Sequence, residues 1–174
     1  RLYDTFLQPT DDEHVYPYIT YDNVLVWKAL KDLAQLAPQY AHLEKTASEI
    51  KDAIMTHCVQ KDAAGKPYFG WSIDLNGSHD VYDEPPGSLQ LLPFFDFCSP
   101  NDEIYRNTVA MIRSPEYKYS FANSPINEIG CPHAPHPWIL SLANSLLCGR
   151  VEHCRAILEK ISMDNGIACE SVDE

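Results

Sequence analysis

Positive charge is scarce in this chain: 13 lysines and arginines stand against 25 aspartates and glutamates, a formal net charge of −12. Without a basic cluster to neutralise phosphates, nucleic acid and anionic membrane are excluded as partners. Long apolar runs are missing too. No stretch approaches the roughly 20 residues of a spanning helix, and no signal-peptide pattern opens the chain. There is no C-x-x-C pair. Cys58, Cys98, Cys131, Cys148, Cys154 and Cys169 lie scattered, which argues against a disulfide framework. They read as free thiols in a reducing compartment, and so as a cytoplasmic protein. No fixed-period repeat is found.

What is present suits one domain spanning residues 1–174, with 45% hydrophobic residues to build a core. Aromatics make up 11%, including ten tyrosines and three tryptophans. Most read as core filler, although such rings are also the usual stacking surface for sugars. Arg1 is not a methionine, and Ser171 to Glu174 stop without a helix end or tail signal. The expectation is a fragment or trimmed chain.

The apolar spacing predicts an all-α protein of helical hairpins joined by long loops. Helices are expected over Asp22–Leu36, with Asp22 or Asp11 as cap, and over Gln39–Val59 beyond Pro38. Lys66 to Asp83, with Asn76-Gly77, reads as a small hairpin or ordered loop. Further helices are expected over Ser88–Phe97, over Asn101–Ile112 with Asp102 as cap, over Trp138–Leu147 with Pro137 in its first turn, and over Arg150–Ile161 beyond Gly149. Helix pairs with long loops gathered at one end describe an α/α toroid or solenoid. Six helices would be half of a twelve-helix toroid, an incomplete one.

Three loops carry chemistry-bearing residues. In the first, Asp83 and Glu84 follow Tyr82 and precede Pro85-Pro86-Gly87. A rigid loop can desolvate a carboxyl and raise its pKa, as a general acid requires. Taken alone, the pair reads better as an N-cap for the next helix. The second loop holds Glu128, Cys131, His133, His136, Pro137 and Trp138. Its prolines would pre-organise polar side chains, and Trp138 could stack on a ligand. A zinc site from His133, His136 and Cys131 matches no common spacing, and no metal or other cofactor is expected. In the third, Glu170 lies among Ile167, Ala168, Cys169 and Val172. A carboxylate buried there would have to be partnered or functional. Asp173 and Glu174 read as solvent-facing charges, and Cys169 has no base beside it in sequence.

The order of these loops resembles glycoside hydrolase family 125, the metal-independent exo-acting α-mannosidases, whose fold is an (α/α)6 toroid. The resemblance rests on Tyr82-Asp83-Glu84 leading into Ser88-Leu89-Gln90-Leu91-Leu92-Pro93-Phe94. Gly130-Cys131-Pro132-His133-Ala134-Pro135 with Trp138 follows, and then Gly166-Ile167-Ala168-Cys169-Glu170-Ser171. It covers about Val81 to Ser171, with Cys169 where the family has a histidine.

The resemblance implies an inverting hydrolase of α-linked mannosides or glucosides. Asp83 would be the acid, with Glu84 the competing choice, and Glu170 the base. His133 would contact the sugar, with Trp138, Tyr82, His136 and Glu128 as further contacts. The two catalytic carboxyls of such an enzyme stand about 6.5–9.5 Å apart. Further sugar contacts would come from a missing remainder of the catalytic domain. Two other readings stand beside it. A helical-repeat binding or scaffold module would be favoured by an exposed Glu170. A toroid polysaccharide lyase using Tyr82 or Tyr119 with His133 would want a basic groove, which a charge of −12 does not offer.

Overall fold

The computed structural model describes residues 1–161, 163 and 165–172. Two helical hairpins frame it. Helices α1 (Thr20–Leu36) and α2 (Leu43–His57) pack against each other, and α4 (Ile139–Leu147) packs against α5 (Val151–Leu158). Between them in sequence lies α3 (Glu103–Ile112), which rests on the strand Pro67–Phe69.

Helix α1 buries Val24 and Trp27, and α2 buries Ala47, Ile50 and Ile54, residues three, four or seven apart and therefore on one face. Phe69, Trp71, Leu89, Leu92 and Phe97 close this core from the loop side. Phe69 and Trp71 are each 1% exposed, and burying an aromatic ring of this size stabilises by about 1.5–3 kcal/mol. A second, smaller cluster of Ile126, Leu142, Cys154 and Ile157 joins α4 to α5.

Short strands supplement the helices, so the fold is helix-rich rather than purely helical. Strand β1 (Tyr18–Ile19) pairs antiparallel with β4 (Ser72–Ile73), and β2 (Val59–Lys61) with β3 (Pro67–Phe69). Asn76-Gly77 does turn the chain. Asp74 accepts from the Asn76 and Ser78 N–H groups, and Ile73 bridges to His79 across the loop. These pairings tie the loop region to the helices. Thr20 donates from Oγ1 to the Gly70 carbonyl at 2.6 Å and from N to the Trp71 carbonyl at 2.8 Å.

Several helix limits differ from the expected ones. The predicted helix Ser88–Phe97 holds only a 3-10 turn, Leu89–Leu91, preceded by another at Pro85–Gly87. Pro93 offers no N–H to continue the Leu89–Leu91 turn, and Asp96 adopts a left-handed φ of 60°. Neither Asp11 nor Asp22 caps α1. That helix starts at Thr20 without a side-chain cap, and Asp22 sits in its first turn, where a negative charge meets the helix dipole favourably. Helix α2 begins at Leu43 and not Gln39, because Pro38–Tyr40 forms a separate 3-10 turn. Pro137 falls just before the start of α4, whose cap position is Trp138. Helix α5 stops at Leu158. Asp102 caps α3 as expected, accepting from the Ile104 and Tyr105 N–H groups, and Gly149 closes α4 with φ 82°.

All six cysteines are unpaired. Among the described residues no helix is long and apolar enough to cross a membrane.

Candidate functional site

Asp83 and Glu84 lie side by side with no exposed surface, and they are held in different ways. Asp83 takes its partners from its own loop. The Ser88 hydroxyl donates to Oδ2 and the Leu89 N–H to Oδ1, both at 2.7 Å. It thus holds the start of the Leu89–Leu91 turn, whose N-cap is Ser88, accepting from the Gln90 N–H; neither carboxylate is the N-cap by side chain that the loop taken alone suggests. The Tyr117 hydroxyl fixes the Asp83 backbone, donating to its carbonyl and accepting from its N–H, each at 2.9 Å. Burial pushes the Asp83 carboxyl up to about 7 against the pull of the Leu89 and Ser88 bonds, and the neighbouring Glu84 charge pushes the same way.

Glu84 is held across the fold by Thr10. The Thr10 N–H donates to Oε1 at 3.2 Å and its hydroxyl to Oε2 at 3.0 Å, while the Tyr82 hydroxyl adds a third bond at 3.1 Å. Burial pushes this carboxyl up to about 7 as well, with Thr10 and Tyr82 opposing. The N-terminal segment reaches the loop because Gly87 leaves room for it. A Cβ there would stand 2.6 Å from Pro9 and 3.2 Å from Trp71.

These shifts set a dependence of stability on pH. Both carboxyls titrate higher in the folded protein than their ordinary values of 3.8 and 4.5. The folded state therefore binds more protons than the unfolded chain between about pH 4 and 7. The stability that these protons confer is complete below that window and is lost as pH rises through about 7. The urea midpoint is expected to fall from pH 5 to pH 8, and Asp83→Asn should remove a share of up to about 4 kcal/mol. A midpoint that rises with pH across this range would contradict the burial of the pair.

The second loop is folded back on itself. Cys131 bridges to Ala134, whose carbonyl accepts from the Trp138 indole at 2.8 Å. A side chain at position 130 would put its Cβ 2.2 Å from the His136 carbonyl, so only glycine fits. The His133 ring stands edge-on to Trp138, and its Nδ1 lies 3.2 Å from an Asp12 carboxylate oxygen. His133 is exposed, as a ligand contact requires. Trp138 is only 5% exposed and buttresses the loop instead of offering an open stacking face. His136 is half-buried.

Glu128 has no exposed surface and belongs to a different cluster. Its Oε1 accepts from the Ser145 hydroxyl at 2.7 Å and lies 2.6 Å from His153 Nε2. Its Oε2 accepts from the Ser141 hydroxyl at 2.6 Å and from Arg113 at 3.1 Å. With its oxygens taken by Arg113 at the C-terminal end of α3, Ser141 and Ser145 of α4 and His153 of α5, this carboxylate ties the three helices together.

Glu170 is exposed, contrary to the expectation of an apolar enclosure. Its segment lies on the start of α4. The Ile139 N–H donates to the Glu170 carbonyl at 3.2 Å, Ser171 bridges to Trp138, and the Val172 N–H donates to the Pro137 carbonyl at 2.9 Å. Ile167, Ala168 and Cys169 also face outward, so the apolar residues around Glu170 in sequence do not enclose it. Asp173 and Glu174 lie outside the described residues. The same helix holds the first loop, through the Asn144 side-chain amide on the Pro85 carbonyl at 2.7 Å. The acid loop and the Glu170 loop are thus anchored on one helix five residues apart, about 7.5 Å of rise.

A hollow of about 220 Å³ opens beside Tyr82, walled by Gln8, Glu13, His14, Val15, Asp80, Tyr119 and Pro132. Asp83, Glu170, His133 and Trp138 are not on its wall. Tyr82 itself packs edge-on to Trp71 and Tyr119. Sequence reasoning missed Thr10, Asp12, Tyr117 and Arg113. The first two sit in a polar, irregular segment with no periodicity to mark them.

Residues 2–174 match the family described as metal-independent alpha-mannosidase (GH125). The chain is 28% identical, over 95% of its length, to the meiotically up-regulated gene 157 protein of Schizosaccharomyces pombe, and spans 35% of that protein. It shares its fold with a Streptococcus pneumoniae metal-independent alpha mannosidase, solved as a non-productive substrate complex with alpha-1,6-mannobiose. There the TM-score is 0.77 at 21% identity, over 90% of this chain and 40% of the other. The family match runs through all three loops, and on it the chain belongs to glycoside hydrolase family 125, the metal-independent α-mannosidases.

Proposed function

We propose that this chain carries the two-carboxylate machinery of an inverting glycosidase acting on α-linked mannosides. In this reading it forms part of an (α/α)6 toroid, in a cytoplasmic setting that suits its unpaired cysteines. The observation that carries the proposal is Asp83: family membership joins a buried carboxyl whose proton is held up to about 7. Asp83 gives that proton to the glycosidic oxygen as the bond to the anomeric carbon breaks. Glu170, open to solvent at the start of α4, takes a proton from the water that attacks the opposite face. His133 and Tyr82 are the sugar contacts in this reading, and Glu84 is the competing acid.

A second reading is favoured by one observation. Glu170 is exposed and Asp83 is bonded to the start of a turn, as in a binding or scaffold module that does no chemistry. Hydrolysis of α-mannobiosides and α-glucobiosides, with and without chelator, separates the two. Release of mannose that chelator leaves unchanged is expected. Chelator-sensitive turnover would overturn the metal-independent mechanism, and a protein that binds mannobiose without cleaving it would establish the second reading.

A further inference from the structure

Glu84 is the member of the carboxylate pair that a distant segment reaches out to hold. Asp83 draws on Ser88 and Leu89, five and six residues along the chain, whereas both Glu84 oxygens accept from Thr10, 74 residues away. The turn carrying Thr10 is built for this contact. Gln8 and Thr10 are each 8% exposed. The Gln8 side-chain amide donates to Thr10 Oγ1 at 3.2 Å, which leaves the hydroxyl proton to point at Glu84. Backbone bonds from Gln8 N to Asp12 O and from Asp11 N to Gln8 O close the turn. Asp11 sits at φ 62°, a left-handed conformation that costs of order 1 kcal/mol and persists only where the surroundings hold it. The next residue, Asp12, meets His133, so one strained turn touches the carboxylate pair and the second loop together.

We propose that Thr10 is a positioning residue for the pair: its N–H and O–H favour the ionised form of Glu84 against burial, and that charge favours the proton on Asp83. The inference rests on Asp83 as the acid. Donors aimed at a carboxylate favour its charged state, and a like charge beside a second carboxyl disfavours ionisation of both. Glu84 has three such donors and Asp83 two. Facing Glu84 are Asp12, Tyr82 and Cys131. Facing Asp83 are Arg113, Tyr21, Tyr117 and Cys148. Burial pushes these tyrosines and cysteines upward, so near neutrality the charges that act on the pair from outside are Asp12 and Arg113. Asp12 opposes ionisation of Glu84 and Arg113 favours that of Asp83; the Thr10 donors work against both.

Carboxyl carbon NMR titrations of the wild type, Thr10→Val and Thr10→Ser test this, run beside the pH profile of α-mannobioside hydrolysis. In Thr10→Val the Glu84 midpoint is expected to rise by about one pH unit or more, since a bond to a charged group is worth roughly that. The Asp83 midpoint should fall, the alkaline limb of the rate should move to lower pH, and Thr10→Ser should restore all three. Unmoved midpoints, or midpoints that move together, would overturn the role. Should Thr10→Val not fold, Thr10→Ala removes the same hydroxyl with less bulk. A protein that hydrolyses no mannoside at all sinks the catalytic reading, and the titration then decides the Thr10 role by itself.

Discussion

Asp83→Asn is expected to lower kcat for α-mannobioside hydrolysis by about 10²–10⁴-fold, the usual contribution of a positioned acid. The amide keeps the size of the carboxyl and can still accept from the Leu89 N–H at the start of the turn, so the fold should survive. What it lacks is the proton for the leaving oxygen. That loss has a signature. A 2,4-dinitrophenyl mannoside, whose leaving group needs no proton, should be cleaved by the variant at nearly the wild-type rate. The wild-type rate on mannobioside should fall as pH rises through about 7, where burial places the Asp83 carboxyl, and the variant should lose that limb. Equal losses on both substrates would move the acid role away from Asp83, with Glu84 next in line. Glu170→Gln makes the contrasting case. A missing base is not relieved by a better leaving group, so both substrates should slow together.

The second large effect is on stability. Glu128→Ala is expected to cost about 3–5 kcal/mol, because it leaves the Arg113 guanidinium without its carboxylate in a half-buried setting. Arg150 sharpens the imbalance. Its pKa is lowered by burial first and by the charge of Arg113 next, and Glu128 is the foremost of the groups that oppose this. The hydroxyls of Ser141 and Ser145 would lose their acceptor as well, and each unpaired buried donor carries a penalty of its own. Urea unfolding should show a lower midpoint with an unchanged slope. Glu128→Gln, which keeps an acceptor but not the charge, should fall between. A loss of sugar affinity in Glu128→Gln without a loss of stability would return this residue to the list of substrate contacts.

Local pattern carried a good part of the fold. The seven-residue spacing that runs through Ala47, Ile50 and Ile54 marks one face of α2, and that face is the buried one. Asp102 caps α3, and the Asn76-Gly77 turn appears where dipeptide preference puts it. These are short-range effects that a sequence states openly. The predicted helix Ser88–Phe97 shows their limit. Its apolar content reflects burial of Leu89, Leu92 and Phe97 in the main core, and burial does not require an α-helix. Periodicity alone does not separate a buried helix from buried irregular chain.

For the site, composition and order of motifs determined the family and named Asp83, Glu84, His133 and Glu170. They also determined that a carboxylate pair would sit at the entrance to an apolar segment. Only the tertiary structure decided what each carboxylate does with its surroundings. Glu128 looked like a loop residue free to meet a sugar, and it lies inside a network drawn from three helices. Glu170 looked enclosed by its apolar neighbours in sequence, and it faces solvent. Thr10 lies in a polar, irregular segment with no pattern to mark it, and it holds Glu84 from 74 residues away. The physical reason is the same in each case. Whether a carboxylate is desolvated, and which donors reach it, depends on groups distant in the chain, and the energy of a charge depends on those groups far more than on its immediate neighbours in sequence.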